Sequence, residues 1–260
     1  SGVTWNESQH CWLLAPEQLQ LCRRHLEAMP SIVCAAHQTQ ALCQQSFTDM
    51  RWNCSSIQRT PSFCPNLLTG TREAAFVHAL AAAAVAQGIA RSCASGELPL
   101  CSCGPSPSEP PAPGSRSGGC GDNLSHGLHF RAAFTDGSAR ASTRGTPGLR
   151  AMNQHNGAVG RAVLSDFPDT RCKCHGVSGS CSVKTYWKGL PDLGEIASDL
   201  KSRYLAALKV TCQLMGPRKQ LITEEGDARP EAEMDLVYLI NSPDYCTPNP
   251  QLGSLGTQDR

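Results

Sequence analysis

The sequence is poor in several things at once. Charge nearly cancels: 23 Lys and Arg stand against 22 Asp and Glu, a formal net charge of +1 over 260 residues. That leaves no global field to hold a polyanion and argues against a dedicated nucleic-acid binder. Aromatics make up only 5% and charged residues 17%, yet 40% are hydrophobic, a globular balance that excludes wholesale disorder. No long hydrophobic run occurs; the longest, Ala79 to Ala86 between His78 and Gln87, is too short to cross a bilayer. There is no C-x-x-C pair. The close pairs are Cys101-Ser102-Cys103 and Cys172-Lys173-Cys174, a poor start for a zinc ribbon. No internal repeat is evident. The opening Ser1-Gly2-Val3 carries no apolar leader, and the expectation is that one was removed.

What the sequence does have is cysteine. Fifteen is a heavy load for this length. In the cytosol it would point to metal sites, and in a secreted chain to a disulfide framework. Asn6, Asn53 and Asn123 each open an N-x-Ser/Thr sequon, which favours the secreted reading. Fifteen is odd, so at least one thiol has no partner within the chain.

Helical patterns dominate. Pro16 fits a first turn, with Leu19, Cys22, Leu26 and Met29 at helical spacing until Pro30, where that helix is expected to stop. A second helix carries Ile32, Ala35, Ala36, Leu42 and Phe47. Thr71 can cap a third, Arg72 to about Ser92, which is apolar nearly all round and predicts the buried centre of a bundle. Asp49 to Ser56 reads as a turn, and Pro61 to Gly70 and Gly104 to Gly119 as loops, the last flanked by Cys103 and Cys120. Helical spacing returns at Asp122 to Phe134 and Leu149 to Leu164, on either side of a small, polar loop. The clearest helix starts at Pro191 and Asp192, with Leu193, Ile196, Leu200, Tyr204 and Leu208 on one face and Asp199 placed to pair with Arg203. After Lys209 the pattern turns short and extended, with Leu236 to Ile240 the best strand.

Residues 171–187 carry the chemistry. Cys181, Val183 and Thr185 alternate with Ser182 and Lys184, which predicts a β-hairpin whose loop is His175, Gly176, Val177, Ser178, Gly179 and Ser180. Gly176 and Gly179 permit positive φ and little bulk, so the Ser178 hydroxyl is expected near an open tip. A serine-hydrolase elbow, G-x-S-x-G, would need glycine where Ser180 stands, and no helix start follows it. A metal site from Cys172, Cys174, His175 and Cys181 has enough ligands, but an oxidising compartment takes the thiols first. A stapled hairpin with a glycine turn and no further role is the third reading. His10, His25, His37, His78, His126, His129 and His155 lack metal-ligand spacing, so no metal and no catalytic residue is assigned.

Cys172-Lys173-Cys174-His175-Gly176-Val177-Ser178-Gly179-Ser180-Cys181 resembles the signature of the Wnt family of secreted, lipid-modified signalling proteins. Further motifs follow the same order: Arg51-Trp52-Asn53-Cys54 after Cys43, Gly70-Thr71-Arg72-Glu73, Cys101-Ser102-Cys103-Gly104, Gly118-Gly119-Cys120-Gly121-Asp122-Asn123, and Trp187. The stretches Tyr238 to Cys246 and Gly256 to Arg260 are most similar to the eleventh vertebrate subfamily. The resemblance implies a mainly α, disulfide-stabilised helical bundle with a protruding hairpin. It places a helical domain over 1–212 and an extended linker over 213–260, leading toward a C-terminal cysteine-rich domain that the sequence does not contain. It implies a palmitoleoyl ester on Ser178 made by a Porcupine-type acyltransferase, with no other cofactor, and a Wntless-type carrier during secretion to the extracellular space. The acylated hairpin would enter a groove on the cysteine-rich domain of Frizzled receptors. The alternative is a truncated fragment, inactive or a weak Frizzled antagonist.

The same resemblance implies bridges Cys43–Cys54, Cys93–Cys101, Cys103–Cys120 and Cys174–Cys181, while leaving Cys11 and Cys22 unassigned. The family partner of Cys172 falls at position 186, which here is Tyr186; Cys34, Cys64 and Cys212 are candidates to compensate. Cys246 resembles a cysteine paired beyond the sequence. Arg218 and Lys219 read first as solvated surface and second as a heparan sulfate contact.

Overall fold

The computed structural model describes residues 11, 16–57, 68–106, 115–130, 147–166, 169–215, 218–223 and 234–257. Among these are helices α1 (Pro16–Arg24), α2 (Met29–Ser46), α3 (Arg72–Ser95), α4 (Pro147–Asp166) and α5 (Leu193–Leu205), and a helical stretch at 124–130. The strands are β1 (Ser115–Ser117), β2 (Asp169–Cys174), β3 (Lys184–Gly189), β4 (Leu208–Met215), β5 (Arg218–Thr223) and β6 (Val237–Tyr238).

Helix α3 is the axis, and its ends are chemically marked. The Thr71 side chain accepts from the Ala74 N–H, Glu73 lies in the first turn, and Gly96, at φ +77°, returns its N–H to the last carbonyls. Between these caps Phe76, Val77, Leu80, Val85, Ile89 and the alanines are buried. By length and composition this helix is apolar enough to cross a membrane, but 89% of its apolar window is covered by the protein itself. Helices α2, α4 and α5 pack on it. Glycine sets how close they come: a Cβ on Gly160 of α4 would stand 2.0 Å from the Ala79 carbonyl oxygen, and one on Gly127 would stand 2.2 Å from that of Ala86. Phe47 closes one end of the core with edge-to-face contacts to Trp52, Phe76 and Tyr204.

Several elements differ from the sequence expectation. Pro30 does not stop the first helix; α1 ends at Arg24, a 3₁₀ turn spans Leu26–Ala28, and Pro30 sits in the first turn of α2, where its missing N–H costs nothing. Leu208 is not on the α5 face but opens β4. The Asp199–Arg203 pair is present at 2.7 Å. The helix expected over Asp122 to Phe134 is described for 124–130, and α4 starts at Pro147, before Leu149. The expected loop residues 61–67 and 107–114, and the stretch 131–146, lie outside the described residues.

The two small sheets run in the orders β1-β3-β2 and β5-β4-β6. Strand β4 runs across residue 212, where the sequence reading set its boundary, and turns antiparallel onto β5. Residues 234–257 then fold back over the helices. Leu236 and Val237 are buried, Leu239 and Ile240 donate to the Gly70 carbonyl, and Trp52 bridges Ser254. Their fastening is polar. Glu73, 1% exposed, accepts hydrogen bonds from Tyr204 (2.9 Å) and from Ser242 (2.9 and 3.0 Å). A buried carboxylate is tolerated only when its lone pairs are met, so this network explains why the segment is pinned there. Burial, and after it the same carboxylate, pushes the Tyr204 hydroxyl pKa well up.

Candidate functional site

Strands β2 and β3 form an antiparallel ladder in which Arg171 faces Trp187, Cys172 faces Tyr186, Lys173 faces Thr185 and Cys174 faces Lys184. Strand β1 adds in parallel on the β3 side, leaving β2 at the edge. The root is held by one side chain that the sequence reading did not single out. The Asp122 carboxylate accepts from the Leu190 N–H at 2.9 Å and lies 3.9 Å from Arg91 of α3, while its own N–H donates to the Lys188 carbonyl. Gln87 of α3 reaches the Pro191 carbonyl just beyond. Asp122 belongs to the Gly-Cys-Gly-Asp-Asn motif, but its role depends on contacts far along the chain that no local pattern displays.

Beyond Cys174 and Lys184 the loop is built from its own backbone. The His175 N–H donates to the Val183 carbonyl, the Gly176 N–H to Ser180, the Gly179 N–H to Gly176, and the Ser180 N–H to Val177. A Cβ on Gly176 would stand 2.2 Å from the Ser180 carbonyl oxygen, so only glycine closes this turn. The Cys174–Cys181 disulfide, Cα atoms 4.6 Å apart, staples the base. His175 Nε2 and the Thr185 hydroxyl meet at 2.7 Å, tying the loop's first residue to β3. Ser178 stands exposed at the tip of the Val177–Gly179 turn, at φ +56° and ψ +30°. A non-glycine residue there costs about 1–2 kcal/mol, and such strain persists only where the surroundings over-determine it. The backbone bonds and disulfide do that here. The result is a serine hydroxyl held outward on a rigid loop. The only imidazole of the loop, His175, is engaged with Thr185, and among the described residues no carboxylate is hydrogen-bonded to it.

The structure contains disulfides Cys43–Cys54, Cys93–Cys101, Cys103–Cys120 and Cys174–Cys181, and also Cys11–Cys22, which the sequence reading left open. Each closes a short loop and contributes on the order of 2–4 kcal/mol. Cys172 is an exposed free thiol facing Tyr186, and Cys34 and Cys212 are free as well, so neither compensates for it. Cys64 lies outside the described residues. Cys246 is exposed and free, with the Arg51 guanidinium 3.2 Å from its sulfur. The one metal-like cluster found among the described residues, Cys93, Cys101 and His126, has its two sulfurs joined in a disulfide and offers a single imidazole. Of the sequon asparagines, Asn6 lies outside the described residues. Asn53 turns its side-chain oxygen onto the Ser55 N–H. Asn123 caps the 124–130 helix through its oxygen and donates from Nδ2 to the Ser102 carbonyl. Arg218 and Lys219 begin β5.

The described residues thus form a disulfide-bridged helical domain that displays a stapled, glycine-shaped hairpin. A model of the Wnt family matches residues 10–260. Protein Wnt-11b of Xenopus laevis is 59% identical over 264 residues, an alignment covering 100% of this chain and 75% of that relative. A solved structure of human WLS in complex with WNT8A is similar at a TM-score of 0.57 and 32% identity, covering 87% of this chain and 72% of that one. The Drosophila WntD N-terminal domain-linker is alike in fold, with a TM-score of 0.56 at 22% identity, covering 84% of this chain and 98% of that one. The chain belongs to the Wnt family.

Proposed function

We propose that this chain is a secreted ligand that engages the cysteine-rich domain of Frizzled receptors through a palmitoleoyl chain esterified to Ser178. The observation that carries the reading is the tip itself: an exposed serine at positive φ, flanked by Gly176 and Gly179 on a loop closed by Cys174–Cys181. A hydroxyl so placed is open to an acyltransferase of the Porcupine type. A loop already rigid adds little ordering cost when the chain enters a groove. At about 0.8 kcal/mol per buried CH₂, the acyl chain supplies much of the binding free energy, and the hairpin surface orients it. A free acyl chain in water calls for a carrier during export. The similarity to a chain of the WLS–WNT8A complex supports a Wntless-type carrier. Heparan sulfate, through Arg218 and Lys219, is a further extracellular partner in this reading, and the chain itself performs no catalysis.

The test is binding of the full chain, secreted from cells that express the acyltransferase, to an immobilised Frizzled cysteine-rich domain. The Ser178→Ala variant is expected to lose on the order of a hundredfold or more in affinity, since several CH₂ groups leave the interface. Equal affinity of the folded Ser178→Ala variant contradicts the reading.

A further inference from the structure

From Thr170 to Pro191 the hairpin is charged in one sense only. Between Asp169 and Asp192 the sequence contains no carboxylate, yet it holds Arg171, Lys173, Lys184 and Lys188 in a chain whose net charge is +1. Strand β1 brings Arg116 alongside. The register sets Arg116, Thr185 and Lys173 in one row across the three strands, with Lys184 and Cys174 in the next row toward the loop. Arg116 and Lys173 are exposed and Lys184 partly so. Arg171 is engaged at the root, donating to the Leu190 carbonyl at 3.2 Å. Past Lys184 the character changes. Val177 is 90% exposed and Val183 43%, two of the few large apolar side chains that the described surface leaves in water. The hairpin therefore ends in an apolar tip above a cationic collar.

That order has a physical counterpart in a lipid surface, where apolar groups sink to the acyl boundary and ammonium groups stay among anionic headgroups. We propose that the hairpin docks tip first on an anionic phospholipid bilayer, Val177 and Val183 entering the interface while Lys184, Lys173 and Arg116 meet the acidic headgroups. The inference deepens the reading of the same hairpin and rests on it in one respect. A single acyl chain gives only reversible attachment, whereas a chain plus a cationic patch gives a stable one. The geometry also ranks the cations. At about 3.3 Å per residue, Lys188 lies roughly 13 Å further from the loop than Lys184. That exceeds the ~8 Å screening length at physiological salt, so Lys188 stands outside the reach of the headgroup charge.

The experiment is co-sedimentation of the full chain, made without the acyltransferase so that Ser178 is bare. The vesicles are phosphatidylcholine alone, or phosphatidylcholine with one part in three phosphatidylserine. Binding is expected on the anionic vesicles and to fall as salt rises. Lys184→Glu and Lys173→Glu should each weaken it about fivefold or more, and Lys188→Glu less than twofold. Val177→Asp should weaken binding without changing the folded protein. Equal binding of the unaltered chain to neutral and anionic vesicles, or no salt dependence, overturns the proposal. An effect of Lys188→Glu as large as that of Lys184→Glu overturns the tip-first geometry. Because Ser178 is bare throughout, absence of an acyl ester on cell-made protein would remove the receptor reading and leave this result standing.

Discussion

Gly160 and Gly176 both forbid a side chain, and they do so for opposite reasons. Gly160 of α4 lies against the Ala79 carbonyl of α3, a contact between helices far apart in sequence. Gly176 lies against Ser180, within the same loop. The first contact holds the bundle together, and the second only shapes a tip. The helical core is specified by mutual packing, so each part depends on distant others. The loop of the hairpin is specified by its own backbone bonds, one disulfide and a glycine, and residues 177–183 are left exposed to solvent. Stability is therefore expected to depend on the first region and the proposed receptor contact on the second, and a substitution should tell which region it touched.

The sharpest break of that division comes from the core glycine. Gly160→Val must push α4 off α3, and overpacking of this kind costs about 3 kcal/mol or more; denaturant unfolding should show it, and secretion should fall. A similar loss for Val177→Asp at the tip would erase the distinction. Next is acid. Burial holds His78, on α3, down at about 4, so the folded chain keeps it neutral while the unfolded chain protonates it near 6.5. The unfolded state then binds more protons between these values. The stabilisation is complete above pH 6.5 and lost as pH falls toward 4, on the order of 2 kcal/mol once partial exposure is discounted. Unfolding curves across that range check it, and His78→Gln should flatten them.

Asp122 joins the two regions, and Asp122→Ala leaves the Leu190 N–H without its acceptor and Arg91 without its partner. About 1–3 kcal/mol should go, with hydrogen exchange rising in β2 and β3 before it rises in α3. The smallest effect belongs to the hairpin. Tyr186→Cys places a thiol opposite Cys172, and peptide mapping should find the bridge. Stability should rise by at most about 1 kcal/mol, because Cys174–Cys181 has already removed most of the loop entropy.

Much of the core was legible in the sequence. The all-round apolar pattern of Arg72 to Ser92 could only be a buried helix, and Thr71 marked its start. The hairpin was legible too, through the alternation after Cys181 and the paired glycines. What stayed hidden was anything that depends on approach between remote segments. Pro30 reads as a stop because local pattern cannot tell a helix end from the first turn of the next one. Residues 234–257 read as linker because their tether, Glu73 with Tyr204 and Ser242, joins three distant stretches. Asp122 looked like one residue of a motif until Leu190 and Arg91 met it. Cys11 and Cys22 could be paired only once their Cα atoms were seen to lie 5.8 Å apart.

The central claim, that Ser178 carries an acyl chain on a hairpin the fold does not need, is tested most directly by peptide mass spectrometry across Arg171 to Lys184. The protein should be secreted from cells that express the acyltransferase. The account predicts a fatty-acyl ester on Ser178 and none elsewhere in that peptide. A bare Ser178 on folded, secreted protein with intact Cys174–Cys181 would contradict it.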